Sequence, residues 1–299
     1  MSRTAFSKVR DFFKKRGIPA IPRPKCSPGT TIKHSENLPE HLAVDEKFSS
    51  INKEKVYIAS SVSKECILGA EVSQSPNETS LTEAYSIFKE EARNLNPKYS
   101  PKTVNMDGWK ATRNAFEKLF PQVILIRCFL HIYLKLRERA KKKHGQVFLE
   151  LSEKLWNCFH SENKRTFSQR LRRLCEWAFN REEVPEWFCK PLVSLKKNKL
   201  DFLNAYNFKE SHRTSNMVDR LMQKMELHLK STKKFHGSLE SANLNIRAWA
   251  LIQNFTPSNP QTVKKYGTFK SPAERLNKFS YHSNWLHNLF ISASLGGYR

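Results

Sequence analysis

The fold is decided by the stretch Val104-Asn105-Met106-Asp107-Gly108-Trp109-Lys110-Ala111-Thr112. Its apolar start and its single carboxylate predict a strand that ends at Asp107 and then turns into a helix. A carboxylate at a strand tip is well placed to hold a divalent cation, because the strand is rigid and its tip opens onto solvent. The alternative is that Asp107 only caps the helix, a role that Asp fills well. The predicted elements here are a strand over 102–106, a helix over 108–119, a strand over 122–126 and a helix over 128–143.

The residues before this stretch predict three closely spaced strands and one helix. The strands cover 41–48, 56–59 and 66–70, with a polar turn at 60–65, and the helix covers 81–95 with Asn77 or Ser80 as its cap. The order β-β-β-α-β-α-β-α is typical of an α/β protein with a mixed sheet and flanking helices.

The rest of the chain predicts an all-helical insertion and further helices. Aromatic stripes from about 145 onward have helical spacing and indicate a packed core. Two long helices follow over 213–230 and 238–255, then a loop over 256–270 and an amphipathic stretch over 271–295. The predicted divisions are a basic, proline-containing arm (1–40), the first part of a core (41–144), the helical insertion (145–209), the remainder of the core (210–256) and a C-terminal loop with an amphipathic helix (257–299).

The charge balance indicates a polyanionic partner. The chain of 299 residues has 52 Lys and Arg against 28 Asp and Glu, a formal net charge of +24. Nucleic acid is the commonest partner of such a surface. A membrane is disfavoured, because no run approaches the roughly 18–20 consecutive apolar residues that span a bilayer. Neither a secretory signal nor a paired Cys-x-x-Cys is present, which favours a reduced cytoplasmic location over secretion or a zinc ribbon.

Three acids fit one chemistry. Asp45 lies in the first strand, Asp107 at the end of the fourth, and Asp219 in the helix that follows the helical insertion. Two divalent ions about 3.5–4 Å apart can activate a water or a 3′-hydroxyl and stabilise the leaving oxygen in phosphodiester transfer. Mg²⁺ takes oxygen ligands, so three carboxylates match its needs.

The chain resembles the prokaryotic Mutator-like transposases, which are three-acid enzymes with an RNase H-like fold. The resemblance rests on Val44-Asp45-Glu46-Lys47, Thr103-Val104-Asn105-Met106-Asp107-Gly108-Trp109, Cys128-Phe129-Leu130-His131 and Arg213-Thr214-Ser215-Asn216-Met217-Val218-Asp219-Arg220. It implies an RNase H-like sheet interrupted by an all-helical insertion. It also implies Asp45, Asp107 and Asp219 as catalytic ligands of Mg²⁺ or Mn²⁺, with two ions.

The third acid is the most open assignment. The family often has Glu there, in an Asn-x-x-Glu setting, whereas this chain has Asp219 after Asn216-Met217-Val218. Glu226 and Glu240 remain alternatives. Asp219 itself has an alternative role as a surface acid paired with a nearby base such as Arg213 or Arg220.

Cys128 and His131 match the Cys-x-x-His that follows the second acid in Mutator-type enzymes. Three residues apart, they share one face of a helix. We expect a structural or DNA-positioning role, and a buried cysteine beside a hydrogen-bonded histidine is an equal alternative.

Basic clusters predict a track for the phosphate backbone, with little sequence preference. Each cluster alone is also compatible with a solvated helix face. The predicted DNA-binding residues are Lys135, Arg137, Arg139, Lys141, Lys142, Arg172, Arg173, Lys233 and Lys234.

We therefore expect a metal-dependent transposase that cuts the ends of a mobile element and joins them to target DNA. The implied partners are transposon ends and target DNA, bound by a homo-oligomer. Neither a membrane nor a small-molecule substrate is expected, and the expected location is the cytoplasm, in association with the nucleoid. The alternative function is that of a truncated, inactive copy that only binds DNA. An RNase H-type nuclease would explain the acids but not the helical insertion.

Overall fold

The computed structural model describes residues 28–140, 145–267 and 269–295. Most of the predicted N-terminal arm lies outside the described residues, as do Lys141, Lys142 and the side chain of Arg139. The chain divides into two compact units. The insertion unit contains Glu40–Asp45 and Ser100–Leu221, and the hairpin unit contains Glu46–Tyr99, the chain from Met222 onward and the residues before Glu40.

Five strands form one mixed sheet in the order β3-β2-β1-β4-β5. They are β1 His41–Ile51, β2 Glu54–Ser63, β3 Cys66–Ser73, β4 Thr103–Met106 and β5 Ile124–Arg127. Strands β2 and β3 are antiparallel, whereas β4 is parallel to both β1 and β5. The predicted fold class, an α/β protein with a mixed sheet and flanking helices, is confirmed.

Helices occupy most of the remaining described chain. In chain order they are α1 Pro28–Thr31, α2 Glu78–Leu95, α3 Lys110–Leu119, α4 Phe129–Ala140, α5 Gly145–Phe159, α6 Lys164–Phe179, α7 Glu186–Lys197, α8 Lys199–Leu203, α9 Asn216–Ser231, α10 Leu239–Phe255, α11 Pro260–Tyr266, α12 Pro272–Asn277 and α13 Trp285–Leu295. Within the described ranges, none of these helices has the length and apolar character needed to span a membrane.

The hairpin unit has longer strands than the sequence predicts. Strand β2 runs through Ser60–Ser63, so the turn predicted over 60–65 is wrong. Its antiparallel pairing continues to Ser63 opposite Cys66, which leaves only Lys64 and Glu65, both at positive φ, to make the turn. These serines are buried. A serine side chain is small enough to be buried on a face of the sheet. The turn was predicted because these side chains are polar, and polarity alone does not exclude a strand.

Helix α10 contacts strand β3, which lies at the edge of the sheet, through the side chains of Asn243, Arg247 and Asn254. Asn254 accepts a hydrogen bond from Ile67 N at 2.8 Å and donates one to Ile67 O at 2.8 Å. The amide therefore satisfies backbone groups that a further strand would otherwise pair with, and it occupies an edge open to aggregation.

The ends of the described chain meet within the hairpin unit. Lys33, in the predicted arm, is buried, and its backbone N donates to Asn277 Oδ1 at 2.8 Å. The loop predicted over 256–270 is also wrong, since it contains α11. Pro260 suggested a break, yet it stands in the first turn of that helix, where its missing N–H is no loss.

The insertion unit has an aromatic core around α4. The Phe129 ring lies 5.4 Å from that of Phe159 and 5.9 Å from that of Phe202, measured between centroids. Three tryptophans, Trp156, Trp177 and Trp187, pack against this core. The helical block thus packs on α4, which begins one residue after Cys128 and carries His131, and its aromatic residues serve packing.

Candidate active site

Asp45 lies in β1, and Asp107 directly follows β4, which is the neighbouring parallel strand. Ala43 of β1 is in register with Asn105 of β4, and each acid stands two residues further along its chain. Side chains two residues apart in a strand share a face, and neighbouring strands are about 4.8 Å apart. The predicted adjacency of the two strand positions is therefore confirmed, whereas the convergence of the carboxylates on one cation stays a prediction.

Asp107 does not cap helix α3. The helix begins at Lys110 rather than at 108, and its N-cap position is Trp109, which makes no side-chain cap bond. Asp107 Oδ1 instead accepts a hydrogen bond from Trp109 N at 2.6 Å. This short turn fixes the carboxylate at the tip of β4, because the acceptor and the donor are two residues apart.

Arg127 packs against the peptide that follows Asp107, a contact that the sequence analysis missed. Gly108 has φ +91°, and a Cβ atom added there would overlap the Arg127 guanidinium. Arg127 Nη2 also donates to Gly108 O at 3.3 Å. Glycine is needed at this position because other residues rarely adopt this positive φ, and because a larger side chain would collide with the Arg127 guanidinium. The Arg127 guanidinium is thereby held beside the peptide that follows Asp107, at the end of β5 where Arg127 is in register with Met106.

Asp219 stands in the first turn of α9, where the helix dipole favours a negative charge. Its Oδ2 accepts a hydrogen bond from Ser215 Oγ at 2.9 Å. The alternative ion pair with Arg213 or Arg220 is not found in the described part of the chain. Arg213 instead donates to Phe159 O at 2.6 Å and stacks on aromatic rings of the insertion.

His131 is affected by the charges of both the second and the third acid. Burial lowers the pKa of His131, whereas the charges of Asp107 and Asp219 raise it. Both carboxylates therefore act electrostatically on this one imidazole. The His131 Nδ1 atom is buried without a hydrogen-bond partner.

Cys128 lies at the base of the same helix and is buried. Its backbone N donates to Met106 O at 2.6 Å, and its Sγ lies 3.2 Å from Ser215 Oγ. Burial raises the pKa of the Cys128 thiol. The thiol is therefore protonated at neutral pH. Because the thiolate is the form that binds metal ions, Cys128 is a poor candidate for a metal ligand.

The two alternative acids belong to the hairpin unit, unlike Asp219. Glu226 forms ion pairs with Lys47 at 3.0 Å, Lys234 at 3.4 Å and Lys230 at 3.7 Å. The hydrogen bond from Lys47 lowers the pKa of Glu226 most. Glu240 is exposed in the first turn of α10. Of the three candidates, only Asp219 shares a compact unit with Asp45 and Asp107.

The model of the Mutator transposase family matches residues 42–250, more than half of the chain. The chain belongs to the Mutator family of transposases. A comparison with curated proteins gave no match. The family match includes Asp45, Asp107 and Asp219, and membership implies that this transposase binds DNA.

The carboxylates of this Mutator-family transposase are not arranged as a ready metal cage. In the described ranges, no group of three or more His, Cys, Asp or Glu side chains is placed to hold an ion. Asp107 accepts a hydrogen bond from the backbone at Trp109, and Asp219 accepts one from Ser215. Like charges also repel unless a cation lies between them.

The predicted DNA-binding residues of the transposase are exposed wherever their side chains are described, except that Lys234 is half-buried. Arg172 is also paired with Glu176 at 3.4 Å, and Lys234 with Glu226. The exposed pair of Arg172 with Glu176 contributes little to stability. The exposed residues are Lys135, Arg137, Arg172, Arg173 and Lys233.

Proposed function

We propose that this transposase cuts the ends of a mobile element and joins them to target DNA in a metal-dependent reaction. The supporting observation is that Asp45 of β1 and Asp107 at the end of β4 belong to neighbouring parallel strands, and that the charges of Asp107 and Asp219 both act on His131. We further propose that the fold is RNase H-like, with the helical block inserted before the helix of the third acid.

The donor atoms of the three acids match the ligand chemistry of Mg²⁺ or Mn²⁺. The three acids offer hard carboxylate oxygens, and the nearby cysteine is a protonated thiol turned toward Ser215. Asp45, Asp107 and Asp219 would hold two ions, whose chemistry is to activate an attacking oxygen and to stabilise the leaving one.

The chain's own groups orient these ligands. Trp109 N and Ser215 Oγ each hold one carboxylate oxygen, which limits the rotation of Asp107 and Asp219. The cation of Arg127 lies against the Asp107–Gly108 segment and would favour phosphate oxygens there. Because two ends must be joined, we propose a homo-oligomer on DNA, with the protein at the nucleoid.

We expect the full chain to nick and join duplex DNA that carries the element's ends. Products should form with Mg²⁺ or Mn²⁺ and be absent with EDTA, because the carboxylates alone supply no Lewis acid. Gel analysis of end-labelled DNA measures both products. Binding without cutting in either metal would contradict the proposal and favour a protein that only binds DNA.

We expect DNA affinity to fall steeply with salt, since binding releases counterions from the phosphates. Replacing Arg172 and Arg173 together by Gln should reduce the slope of log K against log salt by about two, roughly one for each lost phosphate contact. Fluorescence anisotropy over a salt series measures the slope. Lys102 is exposed, is paired with Glu40 and lies outside these clusters. The control variant Lys102→Gln should therefore leave the slope of log K against log salt unchanged. A DNA affinity that does not change with salt would contradict the prediction that basic residues bind the phosphates.

A further inference from the structure

Cys128 is linked to the third acid by a single serine. Its thiol donates to Ser215 Oγ at 3.2 Å, and Ser215 Oγ in turn donates to Asp219 Oδ2 at 2.9 Å. Ser215 N completes the contact by donating to Cys128 Sγ at 3.1 Å. Two polar groups of Ser215 are therefore held by one cysteine.

The donor and acceptor in each of these two side-chain hydrogen bonds are fixed by the number of protons on Ser215. A hydroxyl has one proton to donate. Because Ser215 accepts from the thiol, its own proton is directed to the Asp219 carboxylate. Ser215 immediately precedes α9, where a serine ordinarily accepts hydrogen bonds from the first-turn N–H groups. Here its hydroxyl donates to an acid of that turn instead.

The same cysteine is anchored to the strand of the second acid. Cys128 N donates to Met106 O at 2.6 Å, and Met106 is the residue before Asp107. One buried residue thus connects the backbone at the tip of β4 with the hydroxyl that holds Asp219. Movement of α9 relative to this strand tip would break at least one of these bonds.

We propose that Cys128 and Ser215 are positioning residues that hold the Asp219 carboxylate for metal binding. The inference rests on the proposed function and assigns a role to the cysteine of the Cys-x-x-His motif. Asp is one methylene shorter than the Glu often found at this position, so its reach depends more on how its carboxylate is fixed. Groups that orient a metal ligand typically change metal affinity or activity by about 10–100-fold when they are removed.

The test measures Mn²⁺ binding to the full chain by electron paramagnetic resonance, alongside end cleavage over a Mn²⁺ series. Ser215→Ala should raise the Mn²⁺ dissociation constant by about tenfold or more. Cys128→Ala should raise it less, because the serine hydroxyl remains. Cys128→Ser keeps a donor and should restore binding close to that of the unchanged chain. Cys175→Ala, a control at a buried cysteine of α6, should leave it unchanged.

The outcomes separate this inference from the function on which it rests. A folded Ser215→Ala protein, checked by circular dichroism, with unchanged Mn²⁺ affinity would overturn the positioning role while cleavage by the unchanged chain upheld the function. A weaker Mn²⁺ affinity in Ser215→Ala, together with no cleavage by the unchanged chain, would overturn the proposed function and support the positioning role of Cys128 and Ser215. If Ser215→Ala does not fold, the comparison of Cys128→Ala with Cys128→Ser decides: equal affinity in the two overturns the link, and weaker binding in the alanine variant alone supports it.

Discussion

Asp107→Asn is expected to reduce cleavage and joining by roughly three orders of magnitude while DNA binding stays equal or becomes slightly tighter. The substitution removes a charge that would hold the metal, whose contribution is several kcal/mol of transition-state stabilisation. Asn retains the Oδ1 atom that accepts from Trp109 N, so the turn after β4 should persist. Loss of one negative charge near the phosphates favours binding. End-labelled cleavage assays and anisotropy measure the two effects.

The matched control is Asp201→Asn in the same compact unit. Asp201 receives two hydrogen bonds from Arg113, at 2.9 and 3.1 Å, and so connects α8 to α3. Its replacement should lower the melting temperature slightly and leave cleavage intact, because its role is structural. Full activity in Asp107→Asn, or equal losses in both variants, would show that Asp107 has no special part in the chemistry.

Much of the fold follows from local sequence because the strands and helices have clear periods. The adjacency of the two strands that carry Asp45 and Asp107 was predicted, since each of these apolar strands has one acid. The buried serines of β2 were missed because polar side chains predict turns. Helix α11 was missed because Pro260 predicts a break equally well inside a loop and at a helix start.

The candidate site was predicted as a set of residues but not as a set of contacts. The links from Cys128 to Ser215 and from Arg127 to Gly108 join residues that come together only when the chain has folded. Spacing along the sequence identifies helix faces and strand ends, whereas such tertiary contacts depend on how those elements pack. Gly108 was the one local signal, since a glycine after a strand tip indicates positive φ or a close neighbour.

Asp219→Asn is expected to match Asp107→Asn, with cleavage reduced by roughly three orders of magnitude and DNA binding retained. The physical reason is the same loss of a metal-holding charge. Asn keeps a side-chain oxygen that can accept from Ser215 Oγ, so α9 should still begin at the same place. Glu240→Gln should be mild, because Glu240 lies exposed in the other compact unit.

Glu226→Gln provides the sharper comparison, because its expected effect on DNA binding has a cause separate from catalysis. Removing this carboxylate releases Lys47, Lys230 and Lys234 from their ion pairs, which should tighten DNA binding and leave cleavage nearly intact. Asp219→Asn changes cleavage chiefly, so the two variants should separate in a plot of cleavage rate against affinity. Cleavage that survives Asp219→Asn and is lost in Glu226→Gln or Glu240→Gln would show that the third ligand is a glutamate. In that case the Ser215 hydroxyl bond would serve only to begin helix α9.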